Sequence, residues 1–198
     1  MSSATPKLIK ELRQRTGSGM LDCKNALNES SGDLDKAITV LRESGLAKAA
    51  KKSSNIAAEG LISILVNDDN SKATILELNS QTDFVAKNDN FINLSKQIVS
   101  HAVLNLIQDT NDLLSSSING ISFSEFLNSN IATIGENIVA RKLTTVNAQV
   151  VNAYVHSNGR VGVILGATCD ENVQDKVKVL LKNIAMHASA MKPSVISY

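Results

Sequence analysis

The sequence predicts an α+β protein in which a small three-helix unit precedes a pseudo-symmetric core of two hairpin-plus-helix units. Helix start and stop signals surround apolar stripes in the first fifty residues. Two later stretches are each predicted to form a strand, a polar turn, a second strand and a helix. Both helices carry the same I-x-x-H-A pattern, at Ile98–Ala102 and Ile184–Ala188. Because an isolated hairpin is only marginally stable, we expect each helix to cover one face of its own hairpin.

The helical unit is predicted from its caps. Thr5-Pro6 starts the first helix and Thr16-Gly17 ends it. Ser18 is expected to open the second helix, and Asp33 to cap a third that Gly45 closes. The expected inner faces carry these apolar residues: Leu21, Ala26 and Leu27 in the second helix, and Leu34, Ala37, Ile38 and Leu41 in the third.

The two repeats are predicted with these bounds: strands 61–66 and 72–78 with a helix from about Asn90, then strands 150–156 and 161–167 with a helix from about Glu171. Asn158-Gly159 between apolar runs is a strong hairpin signal, so we expect a positive φ at Gly159. The segment 122–143 reads as helical with a break near Gly135. A basic, polar connector around Lys51 and Asn55 separates the helical unit from the repeats. The expected domains are 1–52, 53–145 and 146–198.

Composition and charge exclude several classes of protein. The 198 residues include 20 Lys and Arg and 19 Asp and Glu, so no strongly basic surface for coating nucleic acid is indicated. No apolar run is long enough to span a membrane, and the N-terminus lacks the layout of a secretory signal. Cys23 and Cys169 lie far apart in the sequence, which favours reduced thiols and predicts a cytoplasmic protein.

The residues give an enzyme hypothesis little support. The chain has no P-loop, dinucleotide fingerprint or nucleophile elbow. His101 and His187 occupy equivalent places in the repeat, but no carboxylate or cysteine recurs beside them, so structural histidines are favoured over metal ligands. A hydrolase using Cys169 and one histidine is the weakest alternative. We expect no cofactor and no metal.

The stretch Glu77–Phe91 is the most informative part of the sequence. It begins as the end of an apolar strand and turns polar, yet Phe84 and Val85 stand in the polar part. Thr82 or Asp83 can cap a short helical turn that projects Phe84. Two interpretations remain open: Phe84 folds back onto the hairpin as a local staple, or it is an anchor for a pocket on another protein.

Gln81–Asn88, Q-T-D-F-V-A-K-N, resembles the signature of the elongation factor Ts family, the nucleotide exchange factors of the translational GTPase elongation factor Tu. Four further segments match that family in order: Leu12–Leu27, Gly135–Asn137, Gly159–Val163 and Ile184–Ala188. The family pairs two arginines where this chain has Arg141-Lys142. Its members usually continue well beyond Lys192-Pro193, so the resemblance also implies that a C-terminal part is lacking.

The resemblance implies a non-enzymatic exchange factor with a ubiquitin-associated-like first domain and elongation factor Tu as its partner. Four residues are carried over as a wedge that disturbs the Mg²⁺ site of the GTPase: Thr82, Asp83, Phe84 and Val85. Four more are carried over as further contacts: Arg13, Met20, Leu21 and His156. From the residues alone, Met20 and Leu21 could equally be core. The runner-up is a ubiquitin-associated-like adaptor or scaffold for another partner.

Overall fold

The structure is a computed structural model that describes residues 4–194. Its secondary structure is mixed helix and sheet, which confirms the α+β class. The chain forms two compact units, one reaching Ile56 and including Ser124–Asn137, the other made of Ala57–Phe123 and the chain from Ile138 onward. The domain limits at residues 52 and 145 stay a prediction. Within residues 4–194, no helix combines the length and apolarity needed to cross a membrane.

Three helices form the start of the first unit: α1 (Pro6–Thr16), α2 (Met20–Glu29) and α3 (Leu34–Lys52). The predicted caps are present, since the Thr5 side chain accepts a hydrogen bond from the Leu8 N–H and the Asp33 carboxylate accepts two from the start of α3. The shared core consists of these buried residues: Leu12, Cys23, Ala26, Leu27 and Ala37. The predicted residues of the α3 stripe, Leu34, Ile38 and Leu41, pack against this core while partly buried.

Three details of the helical prediction are wrong. Gly19, not Ser18, is the N-cap of α2, which starts at Met20. Leu21 is exposed, because the buried face of α2 follows Cys23, Ala26 and Leu27, and a residue five positions before Ala26 lies about 140° away around the helix. The third helix does not end at Gly45 but continues to Lys52. Gly45 is buried, and a Cβ added there would lie 3.5 Å from the Cβ of Ala132.

The second unit holds the strands and the remaining helices except the one from Phe123 to Ile134, nearly all of which belongs to the first unit. Its elements, with the helix that leads back to the first unit, are β1 (Glu59–Val66), β2 (Lys72–Ser80), α4 (Asp83–Ala86), α5 (Asp89–Leu104), α6 (Thr110–Ser115), β3 (Ser117–Ile118), β4 (Ile121–Ser122), α7 (Phe123–Ile134), β5 (Val139–Asn147), β6 (Val150–Val155), β7 (Gly162–Ala167) and α8 (Gln174–Met191). Both predicted hairpins are confirmed, as the antiparallel pairs β1–β2 and β6–β7. α5 packs on β1 and β2, and α8 packs on β6 and β7.

A strand replaces part of a predicted helix. The segment 122–143 is helical only as far as Ile134; Gly135 follows, and β5 then pairs antiparallel with β2 to make the order β1-β2-β5. The β-branched run Thr144-Thr145-Val146 favours a strand, and pairing with β2 supplies its hydrogen bonds. The first repeat therefore has a three-stranded sheet, while β6 and β7 form a two-stranded one.

The second hairpin turn has the backbone that its sequence predicts. Gly159 has φ of +67°, and its N–H donates to the His156 carbonyl at 2.8 Å. A Cβ at this position would meet nothing within 4 Å, so only the backbone requires glycine. A second hydrogen bond closes the turn: the His156 N–H donates to the Val161 carbonyl at 2.8 Å.

We expect Gly159→Val to lower the free energy of unfolding by about 1.5 kcal/mol, because a β-branched residue is strained at positive φ. For a chain of this size the melting temperature should fall by about 5 °C. Thermal melts followed by circular dichroism would measure the loss. Gly159→Asn is the control, since asparagine enters the left-handed region more readily and should cost less. Equal melting temperatures for Gly159→Val and the parent chain would contradict the assignment.

Candidate functional site

The turn after β2 presents Phe84 to solvent. β2 ends at Ser80, and Thr82 caps the short helix α4 by accepting a hydrogen bond from the Val85 N–H at 3.3 Å. Ala86 is buried, whereas Phe84 is 82% exposed and Val85 is half-buried. Phe84 therefore does not fold back onto the hairpin, and the staple interpretation is wrong.

Asp83 stands next to Phe84 with its charge partly balanced. Its carboxylate forms an ion pair with the Lys87 ammonium, Oδ2 to Nζ, at 2.7 Å. The hydrogen bond from Lys87, together with the charges of Lys87 and Arg160, lowers the pKa of the Asp83 carboxyl below its ordinary value. The carboxylate is therefore ionised at neutral pH, and the turn presents an aromatic ring beside a negative charge.

His156 is exposed at the end of β6, where the second hairpin turn begins. Its Nδ1 lies 3.2 Å from the Tyr154 hydroxyl oxygen, and the two rings are tilted with centroids 6.2 Å apart. His156 is exposed, and its role as a contact with a partner stays a prediction.

In the first unit, the three predicted contact residues are all exposed. Arg13 lies in the last turn of α1, and Met20 and Leu21 begin α2. Met20 and Leu21 are 63% and 69% exposed, so the interpretation of these two residues as core is wrong. The Gly17 N–H donates to the Arg13 carbonyl at 2.8 Å, which ends α1 at the junction that carries all three residues.

Two charged residues close to these turns were not predicted as part of the site. Arg160 follows the Asn158-Gly159 pair and forms an ion pair with Glu59 at the start of β1. The only sequence signal for Arg160 was its place in the G-R-V-G-V motif, and the resemblance assigned no function to this residue. Glu59 could not be found from the sequence, because its position beside Arg160 depends on how the second hairpin packs on β1.

The two histidines of the repeat differ in their surroundings. His101 is half-buried, with Nε2 3.1 Å from the Ser116 Oγ and Nδ1 3.0 Å from the Asn105 Nδ2, and its burial lowers its pKa. His187 is exposed, so the two histidines hold equivalent places in the sequence but differ in burial. Among the described residues, no group of three or more histidine, cysteine or acidic side chains could hold a metal ion.

Comparison with known proteins agrees with the signature around Phe84. The family model described as "Elongation factor TS" matches residues 81–198. Curated proteins named elongation factor Ts are similar along the whole chain: the one from Aliarcobacter butzleri is 68% identical over 198 residues, covering 100% of this chain and 57% of the relative. The one from Campylobacter fetus is 53% identical over 195 residues, covering 96% and 55%.

A more distant relative, from Helicobacter hepaticus, is 50% identical over 202 residues, covering 100% of this chain and 57% of the relative. The chain thus spans little more than half the length of these relatives. The family model alone matches more than half of the chain, and it includes the capped turn that presents Phe84. The chain belongs to the elongation factor Ts family.

Proposed function

We propose that this chain is a guanine nucleotide exchange factor that binds elongation factor Tu–GDP in the cytoplasm and promotes release of GDP. The observation that carries the proposal is the 82% exposure of Phe84 on a capped turn inside the family signature. Exposed aromatic side chains on a rigid base are typical anchors of protein interfaces. The chain acts by binding and performs no covalent step.

The wedge consists of Thr82, Asp83, Phe84 and Val85. Thr82 fixes the turn, and Phe84 enters a pocket between elements of the GTPase that support its Mg²⁺ site. Mg²⁺ requires near-ideal octahedral geometry at about 2.1 Å, so a small displacement of its protein ligands weakens its hold on the GDP phosphates. The nucleotide loses affinity without being touched by the exchange factor.

The remaining contacts lie on two other elements. We place Arg13, Met20 and Leu21 on the partner-binding edge of a ubiquitin-associated-like helical domain, where two adjacent apolar side chains and a cation surround one helix junction. His156 adds a contact from the second hairpin turn. These residues supply affinity, while the wedge supplies the change in the GTPase.

Thermodynamic linkage gives the direct test. If the chain weakens GDP binding by some factor, GDP weakens binding of the chain by the same factor. Release of a fluorescent GDP analogue from elongation factor Tu should accelerate with increasing concentration of the chain, and added GDP should dissociate the complex of the two proteins. Binding to elongation factor Tu without any effect of GDP, or stable capture of another partner instead, would favour the adaptor interpretation.

We expect the double substitution Met20→Ala and Leu21→Ala to weaken binding to elongation factor Tu about tenfold, a cost of about 1.4 kcal/mol. Because both side chains are mostly exposed, the melting temperature should barely change. Val179→Ala with Leu180→Ala is the matched control, since these neighbours on α8 are 62% and 55% exposed. A fluorescence titration would measure the affinity of each double variant for elongation factor Tu. Equal affinities would show that the α1–α2 junction is not part of the interface.

A further inference from the structure

The second hairpin turn is fixed against the start of the first hairpin. The Gly159 carbonyl accepts a hydrogen bond from the Ile62 N–H at 2.7 Å, which joins the turn to β1 through the main chain. Gly162 then lets the two elements approach closely, because a Cβ there would lie 2.5 Å from the Ile62 Cγ2. The turn that carries His156 is therefore held next to β1.

Arg160 extends this connection towards the wedge. Its guanidinium Nη2 forms an ion pair with the Glu59 carboxylate Oε2, and the Asn158 Oδ1 accepts a hydrogen bond from the Arg160 N–H at 3.0 Å. Glu59 opens β1 and lies opposite Ser80, the last residue of β2. The chain leaves β2 at that point and enters the Thr82–Val85 turn. The positive charge of Arg160 thus stands at the strand end that supports the wedge.

The electrostatics of Asp83 agree with this placement. The pKa of its carboxyl is lowered by the hydrogen bond and charge of Lys87 in the first place, and the charge of Arg160 adds to the effect. Arg160 therefore acts on both sides of the strand end: it pairs directly with Glu59, and its field reaches the carboxylate next to Phe84.

We propose that Arg160 is a positioning residue that, through its ion pair with Glu59, holds the His156 turn beside the Thr82–Val85 turn so that both meet the GTPase as one preorganised surface. The inference rests on the proposed function. Fixing two contact elements before association removes the ordering cost that binding would otherwise include. Arg160 works through Glu59 and makes no contact of its own with the partner.

The ion pair is poorly suited to a purely stabilising role. The side chains of Arg160 and Glu59 are 52% and 34% exposed, and ion pairs of this exposure contribute little to the free energy of unfolding. Substitution should therefore leave the melting temperature almost unchanged while altering nucleotide exchange. This separation distinguishes positioning from stabilisation.

The test is a double-substitution cycle with Arg160→Gln, Glu59→Gln and both together. Each single change should slow the stimulated release of fluorescent GDP from elongation factor Tu about fivefold, and the double change should slow it no further, because either one already breaks the pair. Arg42→Gln is the matched control. Arg42 pairs with Glu125 in the first unit at 3.6 Å, with side chains 51% and 33% exposed, and its loss should leave exchange unchanged.

Normal exchange with Glu59→Gln but slow exchange with Arg160→Gln would overturn the inference, since Arg160 would then contact the partner directly. If the variants that exchange GDP slowly also have a clearly lower melting temperature, the inference is overturned in favour of a structural role for the pair. A second measurement separates the inference from the proposed function: in the chain alone, Arg160→Gln should broaden the NMR signals of both Phe84 and His156. If the parent chain has no exchange activity, the proposed function fails. If the NMR signals of Phe84 and His156 are unchanged in Arg160→Gln, the positioning role of Arg160 is rejected.

Discussion

Phe84→Ala is expected to slow the stimulated release of GDP from elongation factor Tu about thirtyfold while the chain keeps its melting temperature. An aromatic anchor in a partner's pocket contributes about 2 kcal/mol or more, which corresponds to that factor in an equilibrium constant. Phe84 is 82% exposed, so truncation of its side chain removes little buried area and leaves no cavity. Fluorescent GDP release and thermal melts on the same preparation would measure both quantities.

Leu104→Ala provides the control for Phe84→Ala. Leu104 belongs to the same unit, ends α5 and is 81% exposed, but it lies outside the predicted contact residues. Its truncation should affect neither exchange nor melting. If both variants exchange GDP at the parent rate, Phe84 is not the anchor and the wedge proposal fails. A several-degree loss of melting temperature with normal exchange would instead assign Phe84 to folding.

The exposure of Phe84 shows where prediction from sequence stops. Capping residues before an aromatic side chain predicted a short projecting turn, and α4 confirms that turn with Thr82 as its cap. Whether the ring returned to the hairpin or faced solvent depended on the packing around it, which local sequence does not encode. The family resemblance favoured the solvent-facing alternative, and the exposure of the ring agrees with it.

Two errors have the same physical origin. Gly45 has low helix propensity, yet it is buried and α3 continues through it to Lys52; a Cβ there would lie at ordinary contact distance, 3.5 Å, from the Ala132 Cβ. The start of β5 was predicted as helix because its partner strand, β2, lies 60 to 75 residues earlier, from the pair Asn79–Val139 to the pair Lys72–Asn147, and local sequence does not reveal it. In both cases tertiary contacts outweighed local preference, whereas the hairpin at Gly159 was predictable because its turn is determined by neighbouring residues.

We expect Gly60→Ala to be the most destabilising single change considered for this chain. Gly60 has φ of +150°, and a Cβ there would lie 2.2 Å from the Leu78 carbonyl oxygen and 2.8 Å from the Asn79 Cα. Both neighbours are backbone atoms of the paired strand β2, so neither can move aside like a flexible side chain. The free energy of unfolding should fall by about 3 kcal/mol and the melting temperature by about 10 °C.

Gly120→Ala separates the two contributions to that loss. Gly120 also has positive φ, +79°, but a Cβ there would meet nothing within 4 Å. Its substitution should cost only the backbone strain of about 1 kcal/mol, whereas Gly60→Ala adds the collision with β2. Since β2 leads directly into the turn of Thr82–Val85, Gly60→Ala should also slow GDP release, and Gly120→Ala should not. Equal melting temperatures for the two variants would show that the β1–β2 pair opens to accept the methyl group.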